Sequence, residues 1–351
     1  MKFFIGLIIV VLGLALMSFL GSFIGGLVMG VLIMRINIII ENANILKEKG
    51  QYNAAVLLYS QALSLRKNLL IILKFAPNDY HCKKKNEYIT EDSAIYCNLG
   101  FCHQGNSDND KALLCFEEAF RKIQSQEIFT SIEIESNKSN LHMVTLYKIA
   151  EINESAGKLG VARKKLKDLL LYIKAVFGEQ TEYYANILQK LASLDKEMGR
   201  LSVARDELEK ALLIIKNILG EQTETYAITL NNLSQLKHEM GELKPAKIGY
   251  KQVLIILKNT VGEQSLSYAS TLNNLGRLNL EIGELEQSKD DLEKALFIKK
   301  NMIGEKDQSY ASTLLNLAML DEKTGKLNLA LEKSEQAVFI FKNTVGEYHS
   351  L

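Results

Sequence analysis

The chain contains no tryptophan, two prolines in 351 residues, and four cysteines, Cys82, Cys97, Cys102 and Cys115, confined to one third of its length. Its 22 glycines fall at regular places rather than in clusters, which together with the scarcity of proline excludes collagen-like, proline-rich and disordered chains. The cysteines form neither a CxxC pair nor the density of a secreted disulfide scaffold, so reduced thiols in a reducing compartment are expected. An excess of charge is missing too. Forty-two Lys and Arg against 41 Asp and Glu leave a formal charge of +1, no electrostatic footprint for nucleic acid.

Catalytic constellations are equally scarce. A reaction centre needs a nucleophile, an acid or base and a charge-stabilising group converging in one pocket. His81, His103, His142, His238 and His349 show no HExxH spacing, and no predicted strand precedes a glycine fingerprint for nucleotides. Cys97 and Cys102, five apart with His103 adjacent, read as buried small hydrophobes rather than as a metal site. No enzyme activity, cofactor or metal is expected.

What is present starts with an apolar leader. Residues 3–34 carry no charged side chain, and such a run exceeds the ~20 residues needed to cross a bilayer. An uncut signal anchor is favoured over a cleaved signal, whose apolar stretch would be only ~7–15 residues, and over a two-segment hairpin turning near Gly21 and Ser22. Ser18, Ser22, Gly26 and Gly30 recur every four residues, a seam where another membrane helix could pack; frequent glycine in membrane helices explains it equally well. Arg35, Lys47 and Lys49 follow the leader while Lys2 precedes it, a slight bias toward a cytosolic body on a single-pass protein. Sequons at Asn137, Asn153 and Asn232 would argue the other way, but two fall in predicted helices.

Beyond the leader the chain repeats itself every 42 residues. Gly-Glu recurs at 178, 220, 262, 304 and 346, and a second series runs through Gly157, Gly199, Gly241, Gly283 and Gly325. Between them stand Tyr184, Tyr226, Tyr268 and Tyr310, each followed by alanine, with leucines four and seven residues on, a helical spacing. Each unit reads as two helices, for instance 181–198 and 202–219, ended by glycines that can take the left-handed conformation. Thr181, and Ser267 in a later unit, are the expected N-caps. Small residues at Ala192, Ser234, Gly276 and Ala318, answered by Ala204, Ala246, Ser288 and Ala330, mark where the two helices cross. Ala211, Ala295 and Ala337 leave room for the next hairpin.

This order of Leu, small, Gly, Ala, bulky and Ala resembles the tetratricopeptide repeat, and "TLNNLSQLKHEMGELKPAKIGY" is similar to the kinesin-light-chain variety. The family's unit-ending proline is missing, and its His-Pro is replaced by Gln-Thr, Gln-Ser or Asp-Gln. The resemblance implies an all-α, right-handed solenoid of stacked helical hairpins behind an N-terminal transmembrane helix. Three regions follow: a signal anchor over 1–40, two divergent units with inserted loops over 41–126, and five 42-residue units over 141–351. The divergent units rest on Ala43, Gly50, Ala55, Tyr59 and Ala62, and on Leu99, Gly100, Ala112, Phe116 and Ala119; Lys83-Lys84-Lys85 belongs to an insertion.

One polar series stands out on the first helices: Asn231 and Asn232, Asn273 and Asn274, then Asn316, with Lys190 in the equivalent place. Asparagine is a poor helix former, and its carboxamide can grip the N–H and C=O of an extended peptide; bonding to a neighbouring helix or facing water is the other reading. By the resemblance these positions face a concave groove. Further along the same stripe come Gln235, Arg277 and Met319, then Glu239, Glu281 and Lys323. Arg277 and Lys323 could hold a carboxylate, whereas Glu197, Glu239 and Glu281 would favour basic side chains. The expected function is a membrane-anchored scaffold or adaptor holding a protein or peptide in that groove. Two alternatives stand beside it, a structural or assembly subunit of a larger membrane complex and an organelle receptor for chaperone-delivered proteins. Self-association would run through the C-terminal unit or the glycine-rich leader.

Overall fold

The computed structural model describes residues 30–73, 78–124 and 137–349, and among them every regular element is an α-helix. Helix α1 covers residues 30–48, followed by α2 (Tyr52–Leu73), α3 (Asn78–Gly105), α4 (Asn109–Gln124), α5 (Asn137–Ser155), α6 (Leu159–Phe177) and α7 (Glu182–Glu197). Then come α8 (Leu201–Leu219), α9 (Glu224–Glu239), α10 (Leu243–Thr260), α11 (Leu266–Glu281), α12 (Leu285–Ile303), α13 (Gln308–Lys323) and α14 (Leu327–His349). The described residues form helical hairpins of a solenoid, and the chain divides into two compact bodies, residues 1–152 and 153–351. Among the described residues no helix is long and apolar enough to cross a membrane. Of the expected span at 3–34, residues 30–34 open α1, and the remainder lies outside the described residues.

The first body contains the two divergent units. Tyr59 is buried among Ala43, Ala55, Ile95, Leu99 and Cys102, and its hydroxyl donates to Asn44 Oδ1 at 2.5 Å. Phe116 packs so tightly over Gly100 that a Cβ there would come within 2.9 Å of its ring. Lys83-Lys84-Lys85, expected in an inserted loop, instead lies inside α3, because the helix that ends at Gly105 already starts at Asn78. The thiols of Cys97, Cys102 and Cys115 are free and buried; burial pushes Cys97 up to about 12 and Cys115 up to about 11, so neither is a reactive thiolate. Among the described residues no group of three or more His, Cys, Asp or Glu could hold a metal ion.

The second body repeats one local design. Gly199 at φ 73° and Gly220 at φ 87° end the first and second helix of their hairpin in the region that only glycine enters without strain. The glutamate of each Gly-Glu has its own task. Lys258, five residues earlier, and Lys294, from the next hairpin, hold the Glu263 carboxylate at 2.6 and 2.9 Å and lower its pKa to about 2. Lys174 and Lys210 hold Glu179 in the same way. These pairs fasten the turn between hairpins at the surface. The next helix then starts from a side-chain cap, with Thr181, Thr223 and Ser265 each accepting the backbone N–H three residues on at 3.3 Å. Ser265, not Ser267, is therefore the cap of α11, in register with Thr181 and Thr223; Ser267 lies inside the helix and donates to Glu224 at 2.9 Å.

Within a hairpin the small residues meet as expected: Ser288 is fully buried and donates to the Gly276 carbonyl at 2.8 Å. Between hairpins, each second helix packs its leucines onto the next first helix. Leu201 and Leu212 of α8 lie on Leu233 and Leu236, Leu254 of α10 on Leu275 and Leu278, and Leu285 and Leu296 of α12 on Leu317 and Leu320. Each leucine taken from water contributes ~1.5–3 kcal/mol, and no hairpin can bury its apolar stripe alone.

Candidate partner-binding face

The first helices α9, α11 and α13 touch one another directly, so their outward side chains form one continuous face. The asparagines on it are arranged as a ladder. Asn232 donates to Gln189 Oε1 at 3.4 Å, Asn274 to Asn231 Oδ1 at 3.5 Å and Asn316 to Asn273 Oδ1 at 2.8 Å. The doublets now have a physical reason. In Asn231-Asn232 and Asn273-Asn274 the second residue reaches back to the preceding hairpin, and the first accepts from the following one. Lys190 also reaches back, to Glu154 at 2.8 Å, with Gln189 as the acceptor beside it. The amides thus bond a neighbouring helix, through its side chains rather than its backbone. Each carboxamide has two N–H groups and two lone pairs, so every rung of the ladder keeps hydrogen-bonding capacity facing outward.

Nearer the helix ends the same face opens into a cavity of about 700 Å³ lined by His238, Glu239, Arg277, Leu280, Glu281, Met319, Glu322 and Lys323. Three predicted residues, Arg277, Met319 and Lys323, meet there on α11 and α13. Met319 is half exposed, and Arg277 makes no hydrogen bond or ion pair to any described residue. Lys323 is committed, donating to the Leu280 carbonyl at 2.7 Å. Of the glutamates expected to read basic side chains, Glu239 pairs with Lys196 at 3.2 Å and accepts from Gln235 at 3.1 Å, and Glu281 faces His238 Nε2 at 2.6 Å. Behind the cavity wall the Tyr250 hydroxyl is buried without a partner; burial raises its pKa, and the charge of Arg277 opposes that rise.

Asn232 and Gln235 line a smaller cavity of about 170 Å³ with Gln189, Ser193 and Lys196, and Asn231 lines another of about 280 Å³. Lys190, Asn273, Asn274 and Asn316 lie on the ladder outside these three cavities. Sequence reasoning missed His238, Leu280 and Glu322. His238 precedes Glu281 by 43 residues, the same offset that links the ladder partners and Lys196 with Glu239, and this offset shows only in the contacts between stacked hairpins.

Residues 191–259, 269–308 and 43–69 each match family profiles described as the tetratricopeptide repeat. The chain is a tetratricopeptide-repeat protein. No curated protein matches its sequence. Among solved structures, BtubC (BKLC) from P. vanneervenii is 20% identical with a TM-score of 0.52, covering 62% of this chain and 83% of its own. A Podosopora anserina protein described as a kinesin light chain with nearly identical TPR-like repeats is 15% identical with a TM-score of 0.51, covering 61% of this chain and 97% of its own. A tetratricopeptide repeat protein from Parabacteroides merdae is 12% identical with a TM-score of 0.58, covering 89% of this chain and 96% of its own. At these identities the likeness is one of fold. The repeats make the protein an interaction scaffold.

Proposed function

We propose that the protein is a membrane-anchored scaffold that holds an extended segment of a partner protein on the face of α9, α11 and α13. The observation that carries this reading is the pairing of a cavity of about 700 Å³ with an uncommitted guanidinium, Arg277, next to a ladder of half-used carboxamides. A peptide lying across successive first helices would meet one amide per hairpin, spaced ~10 Å or about three extended residues apart, with the Met319 side chain as apolar contact and Arg277 as the charge reader. The anchor rests on the uncharged run at 3–34, which a bilayer would accept.

A receptor for chaperone-delivered chains is less well supported. It would need several basic residues converging on a terminal carboxylate, and Lys323 already serves the Leu280 carbonyl. The structural-subunit reading keeps one point in its favour, the Ser18, Ser22, Gly26, Gly30 seam of the leader.

The test combines Arg277→Ala with Met319→Ala and compares the proteins labelled by proximity in intact cells with those around the wild type. Both side chains face outward, so the variant retains its helical circular dichroism. Loss of a subset of partners is expected, and an unchanged set would overturn the groove reading. Carbonate extraction tests the anchor: the full chain stays in the membrane pellet, and deletion of 1–34 moves it to the supernatant.

A further inference from the structure

The second helices of the second body carry an apolar row that packs on nothing among the described residues. In Leu212-Leu213-Ile214 of α8 the first residue packs on the next hairpin, the third is buried, and Leu213 between them points to water. Leu254-Ile255-Ile256 of α10 and Leu296-Phe297-Ile298 of α12 divide in the same way. With Leu171 of α6 and Phe339 of α14 the row has one member on each second helix, every 42 residues, each between 58% and 65% exposed. Helices α6, α8, α10 and α12 are already covered by the first helix that follows them, so this exposure is not that of a solenoid end. Bulky apolar side chains held in water at one place in every hairpin mark a face built for contact.

The composition of the row and of its edge says what it meets. Where a position must fit a shaped neighbour the repeat keeps one residue, as in Tyr184, Tyr226, Tyr268 and Tyr310; here it keeps apolarity alone and lets the shape change from Leu to Ile to Phe. A fluid layer of acyl chains accepts that change, whereas a protein partner would have to match each shape. One turn further along the same helices stand Lys174, Lys216, Lys258 and Lys300. Each pairs with the glutamate of the following Gly-Glu yet stays 52–62% exposed, and a surface pair of this kind binds its charge only weakly. The turn before the row is mixed, with Lys167 and Lys251 alternating with Glu209 and Glu293, so the basic edge lies on one side. An apolar row edged by lysines suits the boundary of a bilayer, where lysine stems follow apolar surface and their ammonium groups reach anionic headgroups.

We infer that this row is a lipid-contacting face, with which the second body lies against a bilayer that carries anionic headgroups. Leu213, Ile255 and Phe297 reach the acyl boundary, and Lys216, Lys258 and Lys300 stand at the phosphates. The row shares no residue with the cavities on the first helices, so contact with lipid leaves the partner-binding face of α9, α11 and α13 open. The inference rests on the anchored reading in one respect, that the leader brings the chain to a bilayer.

The chain has no tryptophan, so a single one reports its own surroundings. Phe297→Trp and Leu213→Trp are made in the full chain, with Met319→Trp on the first-helix face as control, and each is reconstituted in vesicles of phosphatidylcholine and phosphatidylglycerol. All three positions are exposed, so the variants keep their helical circular dichroism. Flotation records whether the chain is on the vesicles at all. The expected result is blue-shifted emission at both row positions, quenched by acyl-brominated lipid, with the control unquenched; in phosphatidylcholine alone the row should lose most of that quenching. Chains that float, with the row quenched no more than the control, would overturn the inference and leave the anchor standing, the outcome if the row awaits a protein instead. Chains that fail to float would overturn both. Quenching undiminished without phosphatidylglycerol would overturn the headgroup contact assigned to the lysines.

Discussion

Asn316 and Asn273 are joined by a 2.8 Å hydrogen bond across two hairpins, 43 residues apart, one more than the repeat length. The corresponding Asn274 to Asn231 bond measures 3.5 Å, at the limit of a hydrogen bond. The two rungs should therefore differ in energy. Alanine substitution alone would blur this, since alanine gains ~0.5–0.7 kcal/mol of helix propensity over asparagine. A double-mutant cycle cancels that contribution. We expect a coupling of about 1 kcal/mol for Asn273 with Asn316 and clearly less for Asn231 with Asn274, read from urea unfolding. Equal couplings would show that the ladder distances do not govern its strength.

Gly276 is set by close approach rather than by backbone angle. A Cβ there would sit 2.7 Å from Leu292 Cγ and 3.3 Å from the Ser288 carbonyl oxygen. Gly276→Ala should therefore destabilise by about 1–3 kcal/mol despite alanine's better helix propensity. Adding Leu292→Val removes a methylene from the clash, so the double variant should melt above the sum of the single effects. A Gly276→Ala protein as stable as wild type would mean that the α11–α12 crossing is looser than described.

Much of this design is local and was legible in the sequence. A left-handed glycine, a small residue at a crossing and a Tyr-Ala pair each act within a few residues, so a strict period exposes them. The helix limits around Gly199 were placed to within one residue on that basis. What a period cannot show is the offset between stacked hairpins. The ladder partners sit 43 apart, not 42, so that the two asparagines of a doublet serve opposite neighbours. Counting three and seven residues from Asn316 placed Met319 and Lys323 at the cavity, yet nothing in the sequence reveals that Lys323 is taken by a backbone carbonyl. Ser267 was mistaken for a cap because the loop alignment, Gln264-Ser265 against Gln180-Thr181, outweighs its serine hydroxyl.

Lys299 is a cation in a core position. Ile173, Ile215 and Leu257 fill the equivalent places in earlier hairpins, and Lys299 is as buried as they are, with Nζ 3.1 Å from the Ser309 carbonyl and 2.8 Å from Thr313 Oγ1. Burial lowers its pKa from 10.5 to about 8. Because the folded value lies below the unfolded one, its favourable contribution is complete above pH 10.5 and is lost as pH falls through 8. At neutral pH the charged amine is therefore a burden of at most ~3 kcal/mol. Lys299→Met should raise stability at pH 7 by about 1–3 kcal/mol, with Thr313 still donating to the Ser309 carbonyl at 3.2 Å. The gap to wild type should close between pH 8 and 10.5. A variant less stable than wild type at pH 7 would refute this account.

Glu207 reverses that dependence. Asp195, fully buried, accepts hydrogen bonds from Arg163 Nε at 2.7 and 3.0 Å and is ion-paired with the Arg200 guanidinium, whose Nε lies 2.7 Å away, so both arginines neutralise it. Glu207, half-buried beside it, is left without that compensation. Burial first, and the charge of Asp195 second, raise its pKa from 4.5 to about 7, with Arg163 and Lys167 acting against the rise. A folded pKa above the unfolded one means that the contribution of Glu207 is fully present below pH 4.5 and is lost as pH rises through 7. Glu207→Gln keeps the shape and cannot ionise. Its melting temperature should match the wild type at pH 5 and exceed it at pH 8, whereas parallel profiles across that range would show that the carboxyl is charged at both ends and that the α7–α8 crossing already accommodates it.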